Sequence, residues 1–275
     1  MWNDWLWLFV NRTIGLIRQY NEQDGSQSLE DVIQAITQMA SHPDLTDDMI
    51  ISCFKANGSV EVFKVLQDKF KAGISILNCF HILHAVCSKG AYELVEELVA
   101  THELDLDNDN DKPINRVNRF GETPLTKAVV GGHVEVAAFL LRHPDFNKMT
   151  LCKNFLWGKS HKGVPALECA LAALCREGIP GPKMVNMEKM MKLLFENGAD
   201  ATALDAEGDS MLENAATPKR LHNGDINHDL QVHARKVVQY LAEDIGLPVT
   251  DKVIRSSGHW VFRSSNLQII RSSDN

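Results

Sequence analysis

The chain is short of most features that mark catalysis, export or nucleic-acid binding. Its six cysteines, at 53, 79, 87, 152, 169 and 175, include no C-x-x-C pair. All but Cys152 fall within apolar helical patterns, so they read as reduced core thiols of a cytosolic protein rather than as disulfide partners. No apolar run reaches the ~18 residues that a membrane span needs. The N-terminus is apolar but has no basic n-region and no small-residue cleavage site, which argues against a secretory signal. Positive charge is scarce too: 28 Lys and Arg against 36 Asp and Glu give a net charge of −8. Bulk nucleic-acid binding needs a basic face, and this balance argues against it. There is no G-x-S-x-G elbow, no P-loop, no G-x-G-x-x-G after a strand and no H-E-x-x-H.

What the chain does have is one highly organised stretch, from Asn118 to Arg142. It contains Gly121-x-Thr123-Pro124-Leu125-x-x-Ala128, then Gly132-His133, then Leu140-Leu141. Gly121 supplies a residue able to take φ > 0 in the turn before a helix. Thr123 is placed to cap that helix, and Pro124 suits a first helical position because no N–H is needed there. Ala128 is small enough for neighbouring layers to approach closely. Gly132 ends the helix, and Val134, Val136, Ala137, Leu140 and Leu141 have the spacing of a second helix's apolar face. This order resembles one ankyrin repeat, whose signature includes T-P-L-H-x-A at a period of about 33 residues. The departure within the tetrapeptide is Thr126 where the family usually has His.

Aligned on that stretch, the rest of the chain resolves into repeats. The leucine of the T-P-L-H element falls at Ile51, Leu83, Leu125, Leu167 and Leu212, with steps of 32, 42, 42 and 45 residues. Gly58, Gly90 and Gly132 each follow seven residues later in the first three, and Leu66, Leu98 and Leu140 eight after that. His42-Pro43-Asp44-Leu45 echoes His143-Pro144-Asp145-Phe146, and Asn197-Gly198-Ala199-Asp200 stands in the same place. The resemblance implies an all-α solenoid of five ankyrin-like repeats, the first and fifth degenerate as terminal repeats usually are. Residues 1–45 form an N-terminal helical cap, 46–250 the array with enlarged hairpin loops, and 251–275 a short C-terminal extension.

Met1 to Tyr20 reads as a helix with Trp2, Trp5, Leu6, Phe9, Leu16 and Tyr20 on one face, widened by Ile14 and Ile17. Two readings stand for it: a cap over the first repeat, or an interfacial membrane anchor, since three Trp in seven residues suit a headgroup layer. With only Arg12 and Arg18 basic, the cap is favoured. Ser28 with Asp31 resembles a capping box opening a helix through Ala40. In the fourth repeat the Pro has slipped by one position, in Gly163-Val-Pro-Ala-Leu167, and Glu177-Gly-Ile-Pro-Gly-Pro182 separates its two helices. Beyond Gly246, Arg-Ser-Ser occurs three times, at 255, 263 and 271. There Trp260-Val-Phe262 and Leu267-Gln-Ile-Ile270 have the pattern of a hairpin. That tail reads as a cap on the last repeat or as a basic peptide for a kinase or acidic partner, the cap being expected.

Several clusters invite chemistry and have plainer explanations. Asp105, Asp107, Asp109 and Asp111 start like an EF-hand loop, but Asn110 stands where Gly belongs and Arg116 where Glu belongs. Cys79, His81, His84 and Cys87 have helical spacings that suit zinc, yet His84 and Cys87 occupy the repeat's own packing positions. His222, His228 and His233 match no zinc signature. Asp145-Phe146-Asn147 sits where the family's hairpins carry asparagines that asparaginyl hydroxylases use; an Asn tolerant of a tight turn is the favoured reading. No metal and no cofactor is expected. A Cys–His pair assembled in space stays open, but stacked helix pairs leave no separate catalytic domain, so an enzyme is not expected.

The function implied is a non-catalytic adaptor or scaffold that binds another protein through its concave face and hairpin fingers. Arg119, Phe120 and Glu122 mark the third repeat's finger, Lys162 and Val164 its equivalent in the fourth, and Glu207 and Asp209 in the fifth. Ser88 and Lys89 close a first helix. Phe155 and Trp157 are aromatics in an inserted finger, a residue class enriched at hot spots; the plainer reading is that the insert folds back and buries them. A cytoplasmic monomer without nucleic acid is expected. The alternatives are a membrane-associated adaptor and, by general resemblance, an ankyrin effector that an intracellular bacterium delivers to act on a host protein.

Overall fold

In the computed structural model the described residues are 2–22, 28–70, 76–101, 112–148, 156–157, 161–162, 166–167, 169–170, 181–199, 210–216, 238–243, 246, 249–250, 253 and 269–270. They fall into two compact units, one of residues 1–147 with 157–161, the other of 148–156 with 162–275.

The first unit is a series of helix pairs. Its helices are α1 (Trp2–Asn21), α2 (Leu29–Ala40), α3 (Asp47–Ala56), α4 (Val60–Phe70), α5 (Ile76–Lys89), α6 (Tyr92–Thr101), α7 (Pro124–Gly131) and α8 (Val134–Arg142). They pack in two columns: α1 on α3, α3 on α5 and α5 on α7 form an inner one, α2 on α4, α4 on α6 and α6 on α8 an outer one. The N-terminal pair therefore stacks as a layer of the array, with α1 as its inner helix and α2 as its outer one. The expected capping box is present: Asp31 N–H donates to Ser28 Oγ at 3.2 Å, and Ser28 N–H to Asp31 Oδ2 at 3.3 Å.

Burial follows the repeat register. Ile51, Leu83, Leu125, Leu167 and Leu212 are all buried, as are Leu66, Leu98 and Leu140. Phe54 and Phe63, both fully buried, meet edge to face with centroids 5.4 Å apart. Such a contact adds to what burial of the two rings contributes.

The apolar face of α1 is rotated from the expected one. Leu6, Val10, Thr13, Ile14 and Ile17 are buried, whereas Trp5, Trp7 and Leu8 are exposed. The helix faces α2 and α3 together, and the 6-10-13/14-17 stripe lies along that double contact. Trp5 is left at its flank, stacked on Phe9 and tilted against His42.

Helix ends explain much of the cohesion between layers. The last carbonyls of a helix have no partner within it, and here side chains of adjacent layers reach them. Asn21 Nδ2 donates to the Ala56 carbonyl at 3.1 Å, Lys89 Nζ to the Asn57 carbonyl at 3.1 Å, and His133 Nε2 meets the Ser88 carbonyl at 3.0 Å. The His133 ring fills the space over Gly90 and Gly131, leaving no room for a Cβ at either. Gly132 ends α7 in the left-handed conformation, φ 77 and ψ 21. Gly58 has the same register but a different role, because α3 is capped by Asn57 in an extended conformation, and Asn57 Oδ1 accepts from Ser59 N at 3.0 Å.

On the opposite side, Asn115 is wholly buried in a 3-10 turn, Pro113–Asn115. Its Nδ2 donates to the Asp145 carbonyl at 2.7 Å and its Oδ1 accepts from Asn147 N at 2.8 Å. The two His-Pro-Asp turns are built alike: Asp44 N and Asp145 N each donate to Nδ1 of the preceding His at 3.3 Å.

Two-residue strands β1 (Leu156–Trp157) and β2 (His161–Lys162) pair with each other. In the second unit α9 (Gly181–Glu196) buries Met187, Met190, Met191 and Leu194, and α10 (Met211–Ala216) buries Leu212 and Ala216. Gly181 and Pro182, expected in the insertion, form the first turn of α9, where a proline needs no N–H. Glu213 binds Ser210 N at 2.7 Å and Thr250 Oγ1 at 2.7 Å. Strand β3 (Val249–Thr250) runs parallel to β4 (Ile269–Ile270). The partner of Ile269–Ile270 is thus upstream of the tail, and residues 260–262 of the expected hairpin lie outside the described residues.

Candidate partner-binding surface

The finger before α7 is built by one asparagine. Asn118 Oδ1 accepts from Phe120 N at 2.8 Å and from Glu122 N at 3.1 Å, while its Nδ2 donates to Glu122 Oε2 at 2.8 Å. Backbone bonds Asn118 N to Glu122 O, 2.9 Å, and Gly121 N to Asn118 O, 3.0 Å, close the turn, with Gly121 at φ 77. Below it Thr123 caps α7, its Oγ1 accepting from Thr126 N at 3.2 Å. Thr126 turns its own hydroxyl back to the Thr123 carbonyl at 2.7 Å. Across the layer, His84 Nε2 lies 2.9 Å from the Glu122 carbonyl. A carbonyl only accepts, so Nε2 carries the proton there.

Of the sequence-derived residues, Phe120 is 64% exposed at the finger tip, with the Arg119 guanidinium 4.7 Å above its ring centroid. Glu122 is half-buried and bonded to Lys127 Nζ at 2.6 Å. Burial works to raise its pKa, but the Asn118 amide and the Lys127 ammonium outweigh it and hold the carboxyl below its ordinary range. Ser88 is exposed and donates to the Ala85 carbonyl at 2.8 Å. Lys89 has an exposed stem, but its ammonium is lodged on the Asn57 carbonyl. Burial there, with Arg18 nearby, pushes its pKa down to about 8. Trp157 and Lys162 lie in the β1–β2 pair, with side chains outside the described residues, as are Phe155, Val164, Glu207 and Asp209.

Sequence reasoning missed Asn118, which organises the finger, and three further residues of the inner side, the cations Lys55 and Arg116 and the imidazole of His81. Asn118-x-x-Gly121 is a readable turn signal, and Arg116-x-x-Arg119 stands out in an acidic chain. The groove found between α6 and α8 was also not expected. It measures about 810 Å³ and is lined by Tyr92, Val134, Ala138, Phe139, Arg142 and His143 among others. It lies on the outer column, with Tyr92 and Phe139 meeting edge to face at 5.6 Å.

Two members of the Cys79–Cys87 cluster, His84 and Cys87, are taken up by packing, while His81 is exposed. Cys87 is fully buried and His84 is engaged by Glu122, while the Cys79 side chain lies outside the described residues. Burial raises the thiol pKa of Cys53 to about 12 and that of Cys87 too, so both are poor thiolates. Among the described residues no three His, Cys, Asp or Glu side chains are placed to hold a metal ion, and no helix is long and apolar enough to cross a membrane. The acidic run 105–111 and His222, His228 and His233 lie outside the described residues.

A family model fits this architecture. The family model for ankyrin repeats, three copies, matches residues 49–150 and 83–205. Among solved structures the chain is similar to the human ASB11 ankyrin repeat domain. The identity is 18% over 66% of this chain and 71% of that one, with a TM-score of 0.38. No curated protein matches it. With its family-model matches together spanning residues 49–205, more than half of its length, the chain belongs to the ankyrin-repeat family.

Proposed function

We propose that this chain is a non-catalytic adaptor that seats a partner protein on its inner-helix face and on the fingers beside it. Ankyrin repeats in general serve protein–protein interaction. The observation that carries the reading here is Phe120, a large apolar ring held 64% exposed on a finger whose backbone is fixed by Asn118. An aromatic anchor that is already ordered loses little conformational freedom on binding. Arg119 beside it, Ser88 on α5 and Trp157 in β1 extend the proposed contact on the first unit, and Phe155, Lys162, Val164, Glu207 and Asp209 are proposed separately as partner contacts of the second unit. Affinity capture from cell lysate tests this, comparing the intact chain with a Phe120→Ala/Trp157→Ala variant of unchanged helical circular dichroism. A stoichiometric partner held by the first and lost by the second is expected. Equal retention contradicts the placement, and the lack of any partner contradicts the adaptor.

A membrane-associated adaptor is the second reading, favoured by the exposure of Trp5, Trp7 and Leu8 on α1. Because α1 packs as an inner helix, its deletion would damage the stack. A Trp5→Ser/Trp7→Ser/Leu8→Ser variant is the cleaner probe. Co-sedimentation with phosphatidylserine vesicles that survives those substitutions rules this reading out.

A further inference from the structure

We infer that the inner-helix face of the first unit seats an acidic, extended segment of a partner protein, with Lys55 and Arg119 meeting its carboxylates, the His81 imidazole donating a hydrogen bond beside them, and Phe120 taking its apolar side chain. This rests on the reading of the chain as a protein-recognition module and names the chemistry of what it recognises. Asp48, Ser52 and Lys55 form one stripe of α3, and His81, Ala85 and Ser88 one stripe of α5, at helical spacings. Small side chains hold the middle of both stripes, so a peptide backbone can approach closely. Lys55, His81, Arg119 and Phe120 are exposed.

The cations are gathered rather than dispersed. Partial burial and, among the described residues, the positive charges of Lys55, Arg116 and Arg119 lower the pKa of His81, so at neutral pH its ring is a neutral hydrogen-bond donor beside those cations. Glu122, the finger's own carboxylate, is taken up by Lys127 at 2.6 Å and Asn118 at 2.8 Å. Neither Lys55 nor Arg119 has a salt bridge among the described residues. On the outer column, by contrast, Lys64 is matched by Glu97 at 3.8 Å. A second like-charged pair, Arg18 and Lys89, meets at the ends of α1 and α5.

A plainer explanation for basic residues in a repeat is that they offset the negative ends of helices. That accounts for Lys55 and Lys89, both in last turns. It does not account for Arg119 in the loop before α7, nor for the exposed His81 within α5. Like charges held together raise the energy of the empty face, and an anionic ligand relieves it. A chain with net charge −8 repels an extended polyanion at long range, whereas a short run of carboxylates answers a local cluster of cations.

The test is fluorescence anisotropy of a fluorescein-labelled oligo-glutamate peptide titrated with the full chain. Saturable binding that weakens with salt is expected. Lys55→Glu/Arg119→Glu should lower affinity at least about tenfold with helical circular dichroism unchanged. Lys69→Glu/Arg142→Glu, an equal charge change on outer helices, should leave it within about twofold. The proposal is overturned by the absence of saturable binding or by equal losses in the two variants. Tighter binding of labelled single-stranded DNA or of phosphatidylserine vesicles also overturns it. A lysate partner that survives Lys55→Glu/Arg119→Glu but is lost with Phe120→Ala/Trp157→Ala overturns the acidic-segment inference and leaves the recognition module standing.

Discussion

The third repeat and the N-terminal helix pair are layers of the same two columns, yet they are specified by different means. In α7 and α8 nearly every boundary is local: Thr123 caps, Pro124 starts, Gly132 in the left-handed region stops, and His133 begins the return. In α1 there is neither a Thr-Pro start nor a left-handed glycine stop. The helix runs for twenty residues, and its end is tied to the next layer by Asn21 on the Ala56 carbonyl. One layer follows from its own sequence, while the other follows from the neighbours it must cover. Repeat arrays permit this, because each layer is stabilised largely by its interfaces.

The comparison breaks most visibly in the cores. If α1 is a packed layer rather than a loose lid, Ile17→Ala should destabilise as much as Leu125→Ala. Both side chains are fully buried, and about 2–5 kcal/mol is expected for each. Urea unfolding followed by circular dichroism checks it, and a cost near zero for Ile17→Ala would demote α1 to an appendage.

Next comes the backbone. Gly132→Ala places a Cβ on a left-handed residue and should cost about 1–2 kcal/mol. Gly15, in the middle of α1, has nothing within 4 Å of where a Cβ would stand. Gly15→Ala should therefore stabilise by about 0.5–1 kcal/mol. Opposite signs in thermal unfolding sharpen the contrast between a glycine demanded locally and one merely tolerated.

A smaller effect separates the fingers. The Glu122 carboxyl is held below its ordinary range, so its contribution is complete above the unfolded-state value and is lost as pH falls through the folded one. Glu122→Gln should cost about 0.5–1 kcal/mol at neutral pH. The gap to the parent chain should close as the pH is lowered below the normal carboxylate range. A gap that persists in acid would mean that Glu122 acts through packing instead.

How much of this was legible depended on whether the signal was local. The α2 capping box, the α7–α8 boundaries and the buried leucines at 83, 125, 167 and 212 follow from propensity and spacing alone. The face of α1 did not, since its rotation is set by simultaneous contact with α2 and α3, and Trp5 looked like core by spacing. Phe120 and Arg119 were legible as finger residues because the turn around them was. Lys55 and His81 were not, because they are far apart in sequence and acquire meaning only where α3 and α5 stack. Lys89 was legible as a helix-end residue, but not that its ammonium would be drawn onto Asn57.

The recognition surface itself is tested most directly by site-specific photo-crosslinking in lysate, with a benzophenone side chain placed at position 120 on the finger or at position 142 beside the outer groove. The account expects a discrete crosslinked partner from position 120 and none from position 142. A partner trapped only from position 142 would contradict it and assign binding to the groove between α6 and α8.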